Sequence, residues 1–254
     1  MKVRVLLDSC VLVAASVHMA SDEIGVELKH LFFDESMNLV GLLKKHIAKR
    51  IGIVTSTVEN ETRLVLEEAA RQEIVSRSLD QFKFLSVVVN ACEDRLDTIL
   101  NYLLREPIDM AERNKYYARV CELYDSWIQY GHELDVSETA YAKAGAVSKG
   151  YKKEAFRIYK RQDYEHNRQA IRLSKSPVDD IDKLILSEAT YLYNLYKETE
   201  GKDIRVFLAS TDTHFSPTRG TLVSRVVTDD ISAQLGIVCD WPNDVAKAVR
   251  ELVG

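Results

Sequence analysis

Four prolines and ten glycines in 254 residues leave little material for unfolded tracts or flexible linkers, so a chain ordered over most of its length is expected. No apolar run approaches the roughly 18 residues that a membrane-spanning helix needs. The chain enters a strand at once, without the basic region and apolar core of a secretory signal, so a cytoplasmic protein with no membrane partner is expected. Cysteine is scarce too. Cys10, Cys92, Cys121 and Cys239 are scattered, with no CxxC pair and no neighbouring histidine, which argues against a disulfide framework and against a zinc site. They read as small buried hydrophobes.

What is present begins with a strand over Lys2 to Leu7, ending in Asp8 and followed by the small apolar run Val11 to Ala15, the start of a buried helix. Helical spacing recurs at Leu39, Leu42, Leu43 and Ile47, a second strand runs from Ile51 to Val54, and Thr55, Ser56 and Thr57 are caps for a helix with Val58, Leu64, Leu66, Ala69 and Ala70 inward. From about Ile74 to Ser174 the pattern is helix after helix: Val87 to Leu104, Met110 to Tyr130 after Pro107, then a basic helix from about Tyr151 to Leu173. The Tyr116, Val120, Leu123, Tyr124 and Trp127 stripe reads as core or as a homodimer surface. Sheet sequence then resumes: a helix from Leu184 to Tyr196, a strand from Ile204 to Ala209, a helix around Leu222, a short strand at Gly236 to Cys239 and a closing helix from Asn243 to Val253.

An acid stands at three successive strand-to-helix junctions: Asp8, then Glu61 or Glu59, then Asp212. A fourth acid, Asp182 with Asp179 and Asp180 as competitors, starts the helix that feeds the strand ending near Asp212. In a parallel sheet with right-handed crossovers these ends converge on one edge. Carboxylates gathered in one cleft repel one another, and a hard divalent cation, Mg²⁺ or Mn²⁺, is the usual reason to assemble them. Asp229 and Asp230 read as caps of the next helix.

These stretches resemble the PIN-domain nucleases: VLLDSCVLV at 5–13, Val58-Glu59-Asn60-Glu61-Thr62, the run from Asp179 to Ala189, and Leu208-Ala209-Ser210-Thr211-Asp212-Thr213-His214-Phe215. The resemblance covers 1–75 and 176–254 and implies an α/β fold, a PIN-like parallel sheet flanked by helices, with 76–175 as a large all-helical insertion subdomain. It further implies a metal-dependent phosphodiesterase, an endoribonuclease cutting single-stranded or structured RNA. On that reading Asp8, Glu61, Asp182 and Asp212 hold Mg²⁺ or Mn²⁺, with Ser9, Ser210 and Thr211 as supporting hydroxyls. A catalytically silent nucleic-acid-binding or protein-interaction module on the same fold is the alternative. A phosphatase of the haloacid-dehalogenase type needs a second aspartate two residues after the first, where this chain has Cys10.

Charge supplies a second feature. The net charge is −5, yet 141–175 holds ten basic and three acidic residues, a net of +7 that leaves −12 on the rest. Lys149, Lys152, Lys153, Arg157, Lys160 and Arg161, interleaved with Tyr151, Phe156, Tyr159 and Tyr164, combine phosphate-neutralising charge with rings on which bases can stack, and RNA is the expected partner.

Overall fold

Strand β1 (Lys2–Leu7) is buried at Val3, Val5, Leu6 and Leu7, so after Arg4 it reads as a continuous apolar run rather than an alternating one. That is the signature of a central strand covered on both faces. In the computed structural model, which describes residues 1–25, 32–75, 81–136, 178–212, 215 and 222–253, β1 pairs in parallel on both sides. On one side lies β2 (Gly52–Val54) and beyond it β3 (Leu104–Arg105); on the other lie β4 (Ile204–Ala209) and β5 (Val238–Asp240). The sheet is all-parallel with order β3-β2-β1-β4-β5.

Eight α-helices flank the sheet among the described residues: α1 (Ser9–Ile24), α2 (Phe33–Lys45), α3 (Ser56–Val75), α4 (Gln81–Leu100), α5 (Met110–Val136), α6 (Asp180–Thr199), α7 (Leu222–Leu235) and α8 (Pro242–Val253). The chain lays β1, β2 and β3 outward in one direction and then returns to place β4 against the free side of β1. The order therefore reverses between β1 and β4, and in open α/β sheets ligands bind at the carboxyl ends of the strands flanking such a reversal. Leu7 is in register with Ala209, and the Asp8 amide continues the ladder to the Ala209 carbonyl at 3.0 Å. Asp8 and the segment from Ser210 to Asp212 thus leave the sheet side by side.

Helix α1 is apolar nearly all round, with Val11, Leu12, Val13, Ala14, Ala15, Val17 and Ala20 buried, because it is enclosed by α2, α3 and α4 as well as by the sheet's core. Helix α6 packs on α5 and β4, and α8 on α2, β1 and β4. Gly52 in β2 is a steric requirement: a Cβ there would stand 2.6 Å from Leu103 Cδ2 and 3.0 Å from Leu43 Cδ1.

Several expectations change. The span 76–175 is not helical throughout: Leu104–Arg105 adds edge strand β3, a two-residue element too short to show any periodicity. Val88, Cys92, Leu96 and Ile99 of α4 and Val120, Leu123, Tyr124 and Trp127 of α5 lie in the same core cluster as β1 and β4, so the stripe is core from Val120 to Trp127, with Tyr116 half-buried outside that cluster. The basic segment, with Lys149, Lys152, Lys153, Arg157, Lys160 and Arg161, lies outside the described residues. Leu64 is not inward but 79% exposed, since the inner face of α3 runs through Val58, Thr62 and Leu66 at i, i+4 spacing. Asp230 is no cap: it sits inside α7 and accepts from Trp127 Nε1 at 2.9 Å. No helix among the described residues is long and apolar enough to cross a membrane.

Candidate active site

Asp8 is the N-cap of α1, with extended backbone (φ −81°, ψ 157°), and its Oδ1 accepts from the Ser9 amide at 2.7 Å. Its Oδ2 accepts from Ser210 Oγ at 2.5 Å and from Cys10 Sγ at 3.1 Å. The carboxyl is only 3% exposed, and burial, more than anything else, pushes its pKa up. The bonds from Ser210, Cys10 and Ser9 pull it back, while the charge of Asp212 raises it further. The tie to β4 is reciprocal. Thr211 N donates to Cys10 Sγ at 3.1 Å and Asp212 N donates to Ser210 Oγ at 2.9 Å, so the two strand ends are laced together through Ser210 and Cys10.

Glu61 lies in the second turn of α3 and is half-buried; burial raises its pKa first, the charge of Asp8 second, and Asp179 adds to both against a hydrogen bond from the Ser9 side chain. Its Oε2 is buried with no hydrogen-bond partner. Glu59 is differently employed. It accepts from Arg105 Nε at 3.1 Å and from Arg63 Nη2 at 3.1 Å, an ion-paired arrangement about 200° around the helix from Glu61.

At the start of α6, Asp179 and Asp182 form a capping box: Asp182 N donates to Asp179 Oδ1 at 2.8 Å, and Asp179 N to Asp182 Oδ2 at 3.3 Å. Burial, then the charges of Asp8, Asp179 and Asp212, push the Asp182 pKa up to about 7. Asp180 points elsewhere, its side chain 82% exposed and paired with Lys183 at 3.2 Å. Asp212 closes the group, since its charge is felt by Asp8, by Asp182 and by the buried Tyr124 hydroxyl, whose pKa is driven well up by burial.

Glu61, Asp182 and Asp212 are therefore each coupled to Asp8 at the β1/β4 reversal, and Asp179 acts on Glu61 and Asp182 as well. Among the described residues, no three His, Cys, Asp or Glu side chains already stand together in an arrangement that holds an ion. The donor chemistry nonetheless fits a hard cation: every acid offers carboxylate oxygens, and the unpartnered Glu61 Oε2 is an acceptor with nothing to accept from. Of the supporting residues, Ser9 lies 8% exposed beside Asp8, Ser210 binds Asp8 directly, and Thr211 acts through its amide.

Two participants, and one buried carboxylate outside the pocket, are not evident in sequence. Cys10, one of four free cysteines, is no mere filler: it bonds Asp8, and burial with the Asp8 charge drives its thiol pKa well up. Its only signal is its place two residues past a strand-end acid. Tyr124 hides within an apolar stripe. Glu188, 1% exposed on α6, accepts from Thr57 Oγ1 at 2.5 Å and stands 3.6 Å from Arg113. No protein-family model, curated protein or solved structure matches the chain.

Proposed function

We propose that the chain is a metal-dependent nuclease, an endoribonuclease of the PIN-like type acting through an acidic pocket at the β1/β4 reversal. The observation that supports this reading is that the buried Asp8 carboxyl, hydrogen-bonded across the β1/β4 reversal to Ser210, shares its charge environment with Glu61 of α3, Asp182 of α6 and Asp212 after β4. Asp8, Glu61, Asp182 and Asp212 would hold Mg²⁺ or Mn²⁺, and such a cation supplies charge neutralisation at a phosphodiester and activation of water. The chain's own groups do the rest. Ser210, Ser9 and Cys10 fix the rotamer of Asp8, so that its carboxylate is held in place before substrate arrives. Asp182, with its pKa near 7, can take or release a proton at its carboxyl oxygen in the neutral range. The segment with Lys149, Lys152, Lys153, Arg157, Lys160 and Arg161 would track the phosphates of an RNA strand, a role its net charge of +7 and interleaved tyrosines support.

The test is cleavage of a fluorescent single-stranded RNA in Mn²⁺. Asp8→Asn, which keeps an N-cap side chain, should abolish cutting while leaving a cooperatively folded protein, checked by its circular dichroism and a single unfolding transition. Undiminished cutting by this variant would overturn the reading.

A catalytically silent nucleic-acid-binding or protein-interaction module is favoured by one observation: both oxygens of Asp8 are already engaged by protein donors. Mn²⁺ titration with RNA present separates the two readings, since the silent module binds the strand and leaves it intact.

A further inference from the structure

Buried carboxylates are costly unless matched, and among the described residues Glu188 is the most deeply buried one outside the acidic pocket, 1% exposed in the middle of α6. All its directed interactions pass through one oxygen. Oε1 accepts from Thr57 Oγ1 at 2.5 Å and lies 3.6 Å from Arg113 Nη1, whereas Oε2 has no hydrogen-bond partner. Arg113 is itself only 11% exposed, and its Nε is likewise unpartnered. Three helices thus meet at one carboxylate.

Their identity gives the contact its meaning. Thr57 stands one turn before Glu61 on α3, and residues four apart share a helix face. Glu188 sits on the helix whose first turn carries Asp182. The Thr57 to Glu188 bond therefore joins the two helices that deliver Glu61 and Asp182, while Arg113 on α5 supplies the opposite charge from behind. Glu61 and Asp182 are each opposed by the charges of Asp8 and Asp179, so the placing of their helices has to be set by contacts other than those of the acids themselves.

We propose that Glu188 is a positioning residue, clamping α3 to α6 through Thr57 so that Glu61 and Asp182 keep the separation a shared divalent cation requires. The proposal rests on the metal-dependent reading above. Glu61 and Asp182 would hold the ion; Glu188 would act only through the helices that carry them.

The test uses the full chain, with Mn²⁺ affinity measured by calorimetry in the absence of RNA. Glu188→Ala leaves Arg113 facing an uncompensated gap and risks the fold, so the decisive variants are at Thr57, which is half-buried at the start of α3. Thr57→Val keeps the shape and removes the donor; Thr57→Ser keeps the donor. Thr57→Val should weaken Mn²⁺ binding by about 10- to 100-fold, the range found when support of a metal ligand is lost. Thr57→Ser should restore the wild-type affinity. A Thr57→Val protein that binds Mn²⁺ like wild type overturns the clamp and leaves the nuclease reading standing. So does equal weakening by Thr57→Ser, because the hydroxyl is then not the agent. Failure of the wild-type protein to take up Mn²⁺ overturns the clamp together with the reading on which it rests.

Discussion

Ser210 Oγ donates to Asp8 Oδ2 at 2.5 Å, joining residues 202 positions apart at the ends of the two central strands. The same oxygen accepts from the Asp212 amide, so one serine hydroxyl orients the first acid of the site and the turn that carries the last. Both groups are buried, Ser210 wholly so. A hydroxyl donating to a buried carboxylate contributes about 1.5–3 kcal/mol. Ser210→Ala should therefore lower the unfolding free energy by about that amount in a denaturant titration. Because this bond lowers the Asp8 pKa, its loss should move the Asp8 titration to higher pH, measurable by carboxyl-carbon NMR.

Stability should fall with rising pH in metal-free buffer. Asp8, Glu61 and Asp182 all have pKa values above their ordinary 3.8 or 4.5, Asp182 reaching about 7. Acids with raised folded-state values hold protons that the unfolded chain has released. Their contribution is complete below about pH 4 and is lost as pH climbs through the folded-state values. Thermal unfolding at pH 5.5 and pH 8 checks this: the metal-free protein should melt lower at pH 8. Added Mn²⁺ should recover more of the melting temperature at pH 8 than at pH 5.5, since deprotonated carboxylates are the better ligands. A melting temperature that rises across this window without metal would contradict the coupled cluster.

Cys10 should be slow to alkylate and should speed up when Asp8 is neutralised. Burial is the main cause of its raised thiol pKa and the Asp8 charge the second. The thiolate is the reactive form, so removing the charge increases the reactive fraction. Peptide mapping after limited iodoacetamide treatment should show Cys10 modified faster in Asp8→Asn than in wild type. The fully buried Cys92, whose thiol pKa is raised by burial and the Glu93 charge rather than by Asp8, serves as the internal control, its rate unchanged between the two proteins.

The parts of this architecture visible in sequence are those encoded in contiguous runs. Strands β1 and β4 are long, apolar and β-branched, so their ends, and with them Asp8 and Asp212, are readable from residues 2–8 and 204–212. The third acid is readable only as one of three, because Asp179, Asp180 and Asp182 are equivalent as helix starters; Lys183 sets Asp180 apart, while the capping box keeps Asp179 and Asp182 together. Strand β3 is hidden by its length of two residues. Leu64 misleads because Thr62, a polar residue that is fully buried and bonds back to the Val58 carbonyl at 2.7 Å, occupies the inner face that a hydrophobic pattern assigns to leucine. Glu188 is unreadable for a different reason: its partners Thr57 and Arg113 lie 131 and 75 positions away, on helices whose packing only the tertiary fold determines.

Glu59 and Glu61 are two residues apart, Glu59 being the sequence competitor of Glu61 as the second pocket acid, and they should behave oppositely when each is replaced by glutamine. Glu59 is matched by two arginines, Arg63 in the next turn of α3 and Arg105 of β3, so its carboxylate is attracted to its surroundings. The arginines are partly exposed, at 36% and 61%, and exposed pairs contribute about 0.2–1 kcal/mol each. Glu59→Gln should thus lower stability slightly and leave Mn²⁺ affinity and RNA cleavage near the wild-type level. Glu61 faces the opposite balance, because burial and the charges of Asp8 and Asp179 all oppose its ionisation. Neutralising it relieves that repulsion. Glu61→Gln should therefore raise the melting temperature of the metal-free protein at pH 8 while abolishing Mn²⁺ binding and cleavage. Parallel melting curves and Mn²⁺ titrations of the two variants decide the matter, and a reversal of the pattern would move the pocket's second ligand from Glu61 to Glu59.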